Sequence, residues 1–281
     1  MKKLTRKLAL LLVLALLLST CLFTLSACDN DDDDDNDGGG VKTVETLNGM
    51  TPLEAYRAAE AKMETTENAE LSGIIGMVME VTGEGLSISQ GMDMNVLMRI
   101  NGETFYSNVS GETTGLQSTE MLEETWLVDG VYYEHIREDG AISKTKTPMT
   151  YDEYMEMGDD GNDQNDFFID LESGLLDGAK FRKDGKTYYV DVKLTGEQIK
   201  QYAADLVSDY EDDVEFDTLD YRMSFNENGE LTGFRISFSG ETTESGMTMS
   251  MEVTMRLDVR YNCVGTINPP TDAALYELIV D

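Results

Sequence analysis

Asn95-Val96-Leu97-Met98-Arg99-Ile100-Asn101-Gly102-Glu103-Thr104-Phe105-Tyr106-Ser107-Asn108-Val109 decides how this chain folds. Val96, Met98 and Ile100 alternate with polar or outward residues, the run stops at Asn101-Gly102, and a second β-rich run begins at Glu103. Asn-Gly and Asp-Gly supply the positive φ angles that tight antiparallel hairpins require. The same punctuation recurs along the chain. Asp129-Gly130 separates Thr125–Val128 from Val131–Arg137, and Asp139-Gly140 leads to Ala141–Thr147. Asp184-Gly185 joins Ala179–Lys183 to Lys186–Leu194, and Asn228-Gly229 joins Tyr221–Phe225 to Glu230–Phe238. Five such dipeptides specify an antiparallel meander. They exclude a parallel doubly wound sheet, whose strands need long crossovers, and no dinucleotide or P-loop glycine pattern occurs.

Helical signals interrupt the strands. Thr51-Pro52-Leu53-Glu54 places Thr at an N-cap, Pro at the first helical position and Glu three residues past the cap. Leu53, Tyr56, Ala59 and Met63 then share a side. A second capping box, Thr195-Gly196-Glu197-Gln198, opens a stripe of Ile199, Tyr202, Ala203, Leu206, Val207 and Tyr210, which must lie on the sheet. Shorter helices are expected near Tyr151–Met157, from Phe167-Phe168-Ile169 and at Ala273–Leu278.

The methionines are ordered. Of 17 in the chain, Met247, Met249, Met251 and Met255 alternate with polar residues around Val253; Met92, Met94 and Met98 do so around Val96, and Met77 and Met79 repeat the pattern. Period-two spacing puts each set on one strand face. Three readings compete: an ordinary core beneath the helices, an adaptable apolar cavity that re-packs around varied ligands, or a Cu(I) site. The third is disfavoured, because residues i and i+2 of a strand lie nearly 7 Å apart and no His or Cys is grouped with them. The cavity reading names Met77, Met79, Met92, Met94, Met98, Met247, Met249, Met251 and Met255 as its lining, with Ile199, Tyr202 and Leu206 from the helix.

The N-terminus is of another kind. Met1-Lys2-Lys3-Leu4-Thr5-Arg6-Lys7 precedes an apolar run from Leu8 to Leu18, which continues through Cys21-Leu22-Phe23. A basic start, an apolar middle and small residues before a cysteine make an export signal; an uncleaved membrane span from Leu8 to Ala27 is the alternative. Leu25-Ser26-Ala27-Cys28 resembles the lipobox of bacterial lipoproteins. That resemblance implies cleavage before Cys28 and a diacylglycerol on its thiol, hence residues 1–27 as signal and a chain held at the extracytoplasmic face of the cell membrane. Residues 28–46 then form an acidic spacer: seven Asp between Asp29 and Asp37, followed by Gly38-Gly39-Gly40, repel one another and stay extended. Asp33-x-Asp35-x-Asp37-Gly38 imitates the start of a calcium loop, but the closing acid would fall on Val44. With Cys21 lost and Cys28 lipidated, Cys263 is the sole thiol left, and its strand-like setting reads as a small buried hydrophobe.

Catalytic patterns are not assembled. His135 is the single histidine, so no zinc site or facial triad can form from imidazoles. Ser143-x-x-Lys146 lacks the companion elements of penicillin-binding enzymes, no Gly-x-Ser-x-Gly occurs, and carboxylates are too many to nominate a glycosidase pair. Trp126 is the only Trp, too little for a sugar-stacking platform. No cofactor or metal is implied, and the chain is read as non-enzymatic.

Charge excludes more than it identifies. The chain carries 55 acidic against 21 basic residues, and the signal holds four of the bases and none of the acids. Such a field disfavours nucleic acid, which needs a basic face, and anionic lipid surfaces. The pattern from residue 47 to 281 looks like bacterial lipoproteins of the LolA/LppX-like class, and is similar to small Firmicutes lipoproteins near it. The resemblance implies one α+β domain: an antiparallel meander of about 9–11 strands forming an unclosed half-barrel, with helices packed on its concave face over a cavity for acyl chains. The expected function is therefore binding or carrying an apolar ligand; the alternative is an envelope interaction module that docks a basic partner through its acidic surface.

Overall fold

In the computed structural model, the residues described are 42–83, 86–115, 118–157, 175–176, 178–196, 198–199, 215–244 and 247–279. The expected signal, the lipobox with Cys28, most of the spacer, the Phe167–Ile169 segment, Tyr202 and Leu206 lie outside them.

The strands are β1 (Lys42–Val44), β2 (Asn68–Gly83), β3 (Leu86–Asn101), β4 (Thr104–Thr114), β5 (Thr119–Val128), β6 (Val131–Glu138), β7 (Ala141–Pro148), β8 (Phe181–Asp184), β9 (Thr187–Thr195), β10 (Glu215–Phe225), β11 (Leu231–Glu244), β12 (Met247–Tyr261) and β13 (Glu277–Leu278). Helix α1 spans Pro52–Thr65, α2 spans Tyr151–Met157, and Ala273–Leu275 make a 3-10 turn. All strands join one unclosed sheet in the order β1-β8-β9-β10-β11-β12-β2-β3-β4-β5-β6-β7-β13. Every neighbouring pair is antiparallel except β7 and β13.

This corrects the expected α+β half-barrel in three respects. The sheet has thirteen strands instead of 9–11, because the short edge strands β1 and β13 are too brief to show a period. Its order is not that of a single meander: β12 pairs along its length with β2, from Tyr261↔Ala69 to Thr248↔Thr82, so two meanders meet in mid-sheet. Helices are few among the described residues, where α1, α2 and a helical start at Gln198-Ile199 are the α-helical pieces, so they do not form the helical layer expected over the sheet. The fold there is overwhelmingly β, and strands of 14–16 residues at its centre take up the chain that a helical layer would need.

The hairpins sit where the dipeptides are, with a refinement. Asp129-Gly130 and Asp139-Gly140 hold both φ angles positive, as in type I′ turns. At Asn101↔Thr104 and Asp184↔Thr187 only the glycine, Gly102 or Gly185, is positive, because each is the first central residue of a two-residue loop, the type II′ pattern. Asn228-Gly229 lies in a longer loop that Asn226 organises, its Oδ1 accepting from the N–H groups of Asn228 and Glu230.

The core lies on one face. Helix α1 begins at the expected box, with Thr51 Oγ1 accepting from Glu54 N–H and Glu54 Oε2 from Thr51 N–H. It buries Ala55, Tyr56, Ala59 and Met63 completely or nearly so. Lys62 fastens it to Glu230 at 2.5 Å and lies 4.1 Å from the centroid of the Tyr261 ring. Helix α2 is capped likewise by Thr150 and Glu153 and presses Tyr154 between Phe105 and Tyr132, with ring centroids 5.5 and 5.7 Å away. The second capping box survives in part: Gln198 Oε1 accepts from Thr195 N–H at 3.3 Å, and Ile199 is fully buried. Cys263 departs from expectation. Asn262 takes a positive φ and ends β12, so the thiol that follows is exposed.

Candidate functional site

Register assembles the alternating methionines into one surface. Met92 of β3 faces Met77 of β2, which faces Val253 of β12. One step along, Met79 faces Met251; the next step sets Val81 against Met249. In the other direction Met94 and Met255 flank Ile75, and Met98 lies beside Leu71. Nine methionines from three strands, two consecutive in sequence and one far along the chain, therefore share the core-side face.

Burial grades along that face. Met77, Met92, Met94, Met98 and Met255 are buried. Met79, Met249 and Met251 are only partly so, and Met247, the outermost, is 48% exposed. The strand ends near Asn68, Asn101 and Tyr261 lie at the end where α1 packs; the half-covered thioethers lie toward the opposite ends, beyond Met77. Ile199 joins the buried core. Tyr202 and Leu206, expected beside it, fall outside the described residues, as does Cys28.

Across β4 and β5 the same face changes character. Ser107 and Thr125 share a hydrogen bond of 2.8 Å, and Thr113, Thr119 and Glu123 are buried with them. Glu123 is 7% exposed, opposite Val109 on one side and Ile136 on the other. Burial pushes its carboxyl up to about 7, and the nearby charge of Glu134 adds to the shift. A carboxyl raised this far keeps its proton through mildly acidic pH and is shared between its two forms near neutrality, and the protonated form can donate a hydrogen bond inside an apolar surface. Tyr132 and Tyr154 close over this area, their phenols pushed upward chiefly by burial. Period-two alternation from Met121 through Thr125 to Leu127 carries the signal that puts Glu123 on this side; the general abundance of acid hid it.

The opposite face is polar. His135 Nδ1 lies 3.1 Å from Glu124 Oε2, and Glu124 Oε1 accepts from Tyr106 and Asn108. Tyr106 is pushed up to about 12 by burial and by Glu124. Farther across the sheet, the same face opens into two hollows, of about 720 and 540 Å³, over β8 to β12 and the neighbouring β2. Among the described residues, no group of three or more His, Cys, Asp or Glu could hold a metal ion.

No family model and no curated protein matches the chain. Among solved structures, it is similar to the ywiB protein from Bacillus subtilis, at 10% identity and a TM-score of 0.17 over 66% of this chain and 91% of that one. It is also similar to a DUF1329 family protein from Desulfovibrio piger, at 9% identity and a TM-score of 0.22 over 75% of this chain and 93% of that one. At TM-scores this low, neither likeness bears on the function of this chain.

Proposed function

We propose that this chain is a non-enzymatic, lipid-anchored protein of the cell envelope that binds an apolar ligand, of the acyl-chain class, on its methionine face. Cys28 would hold it at the extracytoplasmic side of the membrane, since an acidic body is repelled by anionic lipid and needs a covalent anchor. One observation supports the reading above others: the thioether surface continues past the packed core, where Met79, Met249 and Met251 are half-covered and Met247 is exposed. Unbranched, polarizable side chains that are half covered can re-pack around chains of different length. Protonated Glu123 and the Ser107–Thr125 pair would supply the few polar groups that orient such a ligand.

The chain from Asp29 onward, secreted without its lipid-accepting cysteine, is the material for the test. Native mass spectrometry with solvent extraction should reveal co-purified lipid, and cis-parinaric acid should titrate to saturation. Met79→Glu with Met251→Glu, on adjacent strands, should reduce that binding by about tenfold or more, because a charge left in an apolar site costs several kcal/mol. Absence of both extracted lipid and saturable titration would overturn the proposal.

A further inference from the structure

The polar sheet face holds a row of arginines that the acidity of the chain makes hard to explain as packing. Arg222 of β10 stands opposite Arg235 of β11, and Arg235 stands opposite Arg256 of β12. Adjacent strands are about 4.8 Å apart, so three guanidinium stems rise side by side. Like charges directly opposite on a sheet destabilise it, yet with 55 acids to 21 bases neutralising partners are plentiful. Arg222 has one: its Nε lies 2.5 Å from Asp191 Oδ1, and Arg182 lies 3.2 Å from the other oxygen of that carboxylate. Arg235 and Arg256 are exposed and have no ion pair or side-chain hydrogen bond among the described residues.

The three arginines form the ridge between the two hollows and line both. The larger hollow has a floor of Ser237 and Thr254, which face each other across β11 and β12. Next to Thr254 stands Gly76, whose lack of a side chain keeps the floor low: a Cβ there would come within 3.0 Å of Thr254 Oγ1 and 3.3 Å of Asp93 Oδ1. Lys193 and Asp220, an ion pair at 3.2 Å, make one wall, and Ile74 makes part of the other. Four cations thus line this hollow against two carboxylates, Asp191 and Asp220, and both carboxylates already have cationic partners. The smaller hollow adds Asp184 and Asp258, which would repel an anion. A volume of about 720 Å³ lies within the usual range for small-molecule sites.

We propose that Arg235 and Arg256 bind an oxyanion of the phosphate class in the larger hollow, with the hydroxyls of Ser237 and Thr254 donating from its floor. Guanidinium forks match phosphate oxygens two at a time, and an anion between two unneutralised forks also removes their mutual repulsion. The phosphate could be free or carried on a lipid headgroup; the recognition chemistry is the same. This site lies on the other side of the sheet from the thioethers and stands or falls independently of apolar-ligand binding.

The full chain, held in neutral detergent micelles at low ionic strength, is titrated calorimetrically with inorganic phosphate, pyrophosphate and dihexanoyl phosphatidic acid. Saturable binding of at least one is expected. Arg235→Gln or Arg256→Gln should weaken it by about tenfold or more, and the double variant should abolish it. Arg137→Gln, on β6, should leave it intact. Binding of pyrophosphate without the lipid assigns a free phosphate, the reverse assigns a headgroup, and both outcomes support the site. Failure of all three probes, or unchanged binding by the double variant, overturns it. So does a double variant that melts well below the wild type in phosphate-free buffer, because the ridge would then be structural; relief of repulsion predicts an equal or higher Tm. Titration of cis-parinaric acid should be the same in wild type and double variant.

Discussion

Glu123 shows how much one side chain can add to a sheet face. Its folded-state carboxyl, at about 7 against an ordinary 4.5, holds a proton that the unfolded chain releases. The folded protein therefore binds more protons between those values. The stabilising contribution is complete below about pH 4.5 and is lost as pH rises through about 7. At roughly 1.4 kcal/mol per pKa unit, the loss amounts to about 3 kcal/mol. Glu123→Gln should remove this dependence, so the difference in unfolding free energy between wild type and variant should change across pH 4.5 to 7. Urea unfolding at several pH values measures it; equal pH profiles for the two proteins would refute it. Gly111 makes the complementary point. A Cβ there would collide with the backbone of Asp93 and Met94 on β3, so Gly111→Ala should destabilise by about 2 kcal/mol through overpacking, read as a lower urea midpoint with an unchanged slope.

Among the elements, α1 was the most legible from sequence. Its capping box satisfies the first orphan amides, and Glu54 is held below the usual carboxylate range by the backbone N–H and hydroxyl of Thr51. Thr51→Ala should cost about 1 kcal/mol, measurable as a shift in urea midpoint, and Thr51→Ser should restore most of it. Hairpin positions were equally legible, because Asn-Gly and Asp-Gly encode backbone angles locally. Their turn class was not: whether the glycine falls first or second in the loop depends on which residues pair beyond it, as Asn101↔Thr104 shows. The edge strands carried no legible signal. β1 has three residues and β13 two, and each exists only because β8 or β7 offers an open edge. Such short edges also limit strand addition by other molecules.

At the scale of the whole molecule, acid excess is the dominant long-range term. Self-repulsion of like charges opposes the compact state and is screened within about 10 Å at 0.1 M salt. Tm should therefore rise as sodium chloride goes from about 0.01 to 0.5 M, in contrast to phosphate binding at the arginine ridge, which the same salt should weaken. A thermal melt series at fixed pH tests this, and a flat or falling Tm would contradict it. The two sheet faces divide the chemistry: thioethers and Glu123 on one, paired and unpaired arginines on the other. That division follows from the strand period of two, which sends Met255 to one side and Arg256 to the other.

The amino-acid sequence alone determined the antiparallel hairpins, the cap of α1 and which side chains share a strand face, because each depends on residues within a few positions of one another. Tertiary structure decided the rest. Pairing of β12 with β2 joins positions almost two hundred residues apart, and no local period encodes that partner. The same pairing, with that of β11 to β12, turns separate Met-x-Met runs into one surface and lines up Arg235 with Arg256. Both faces are products of register, and register is settled only when the whole sheet buries its apolar side at once.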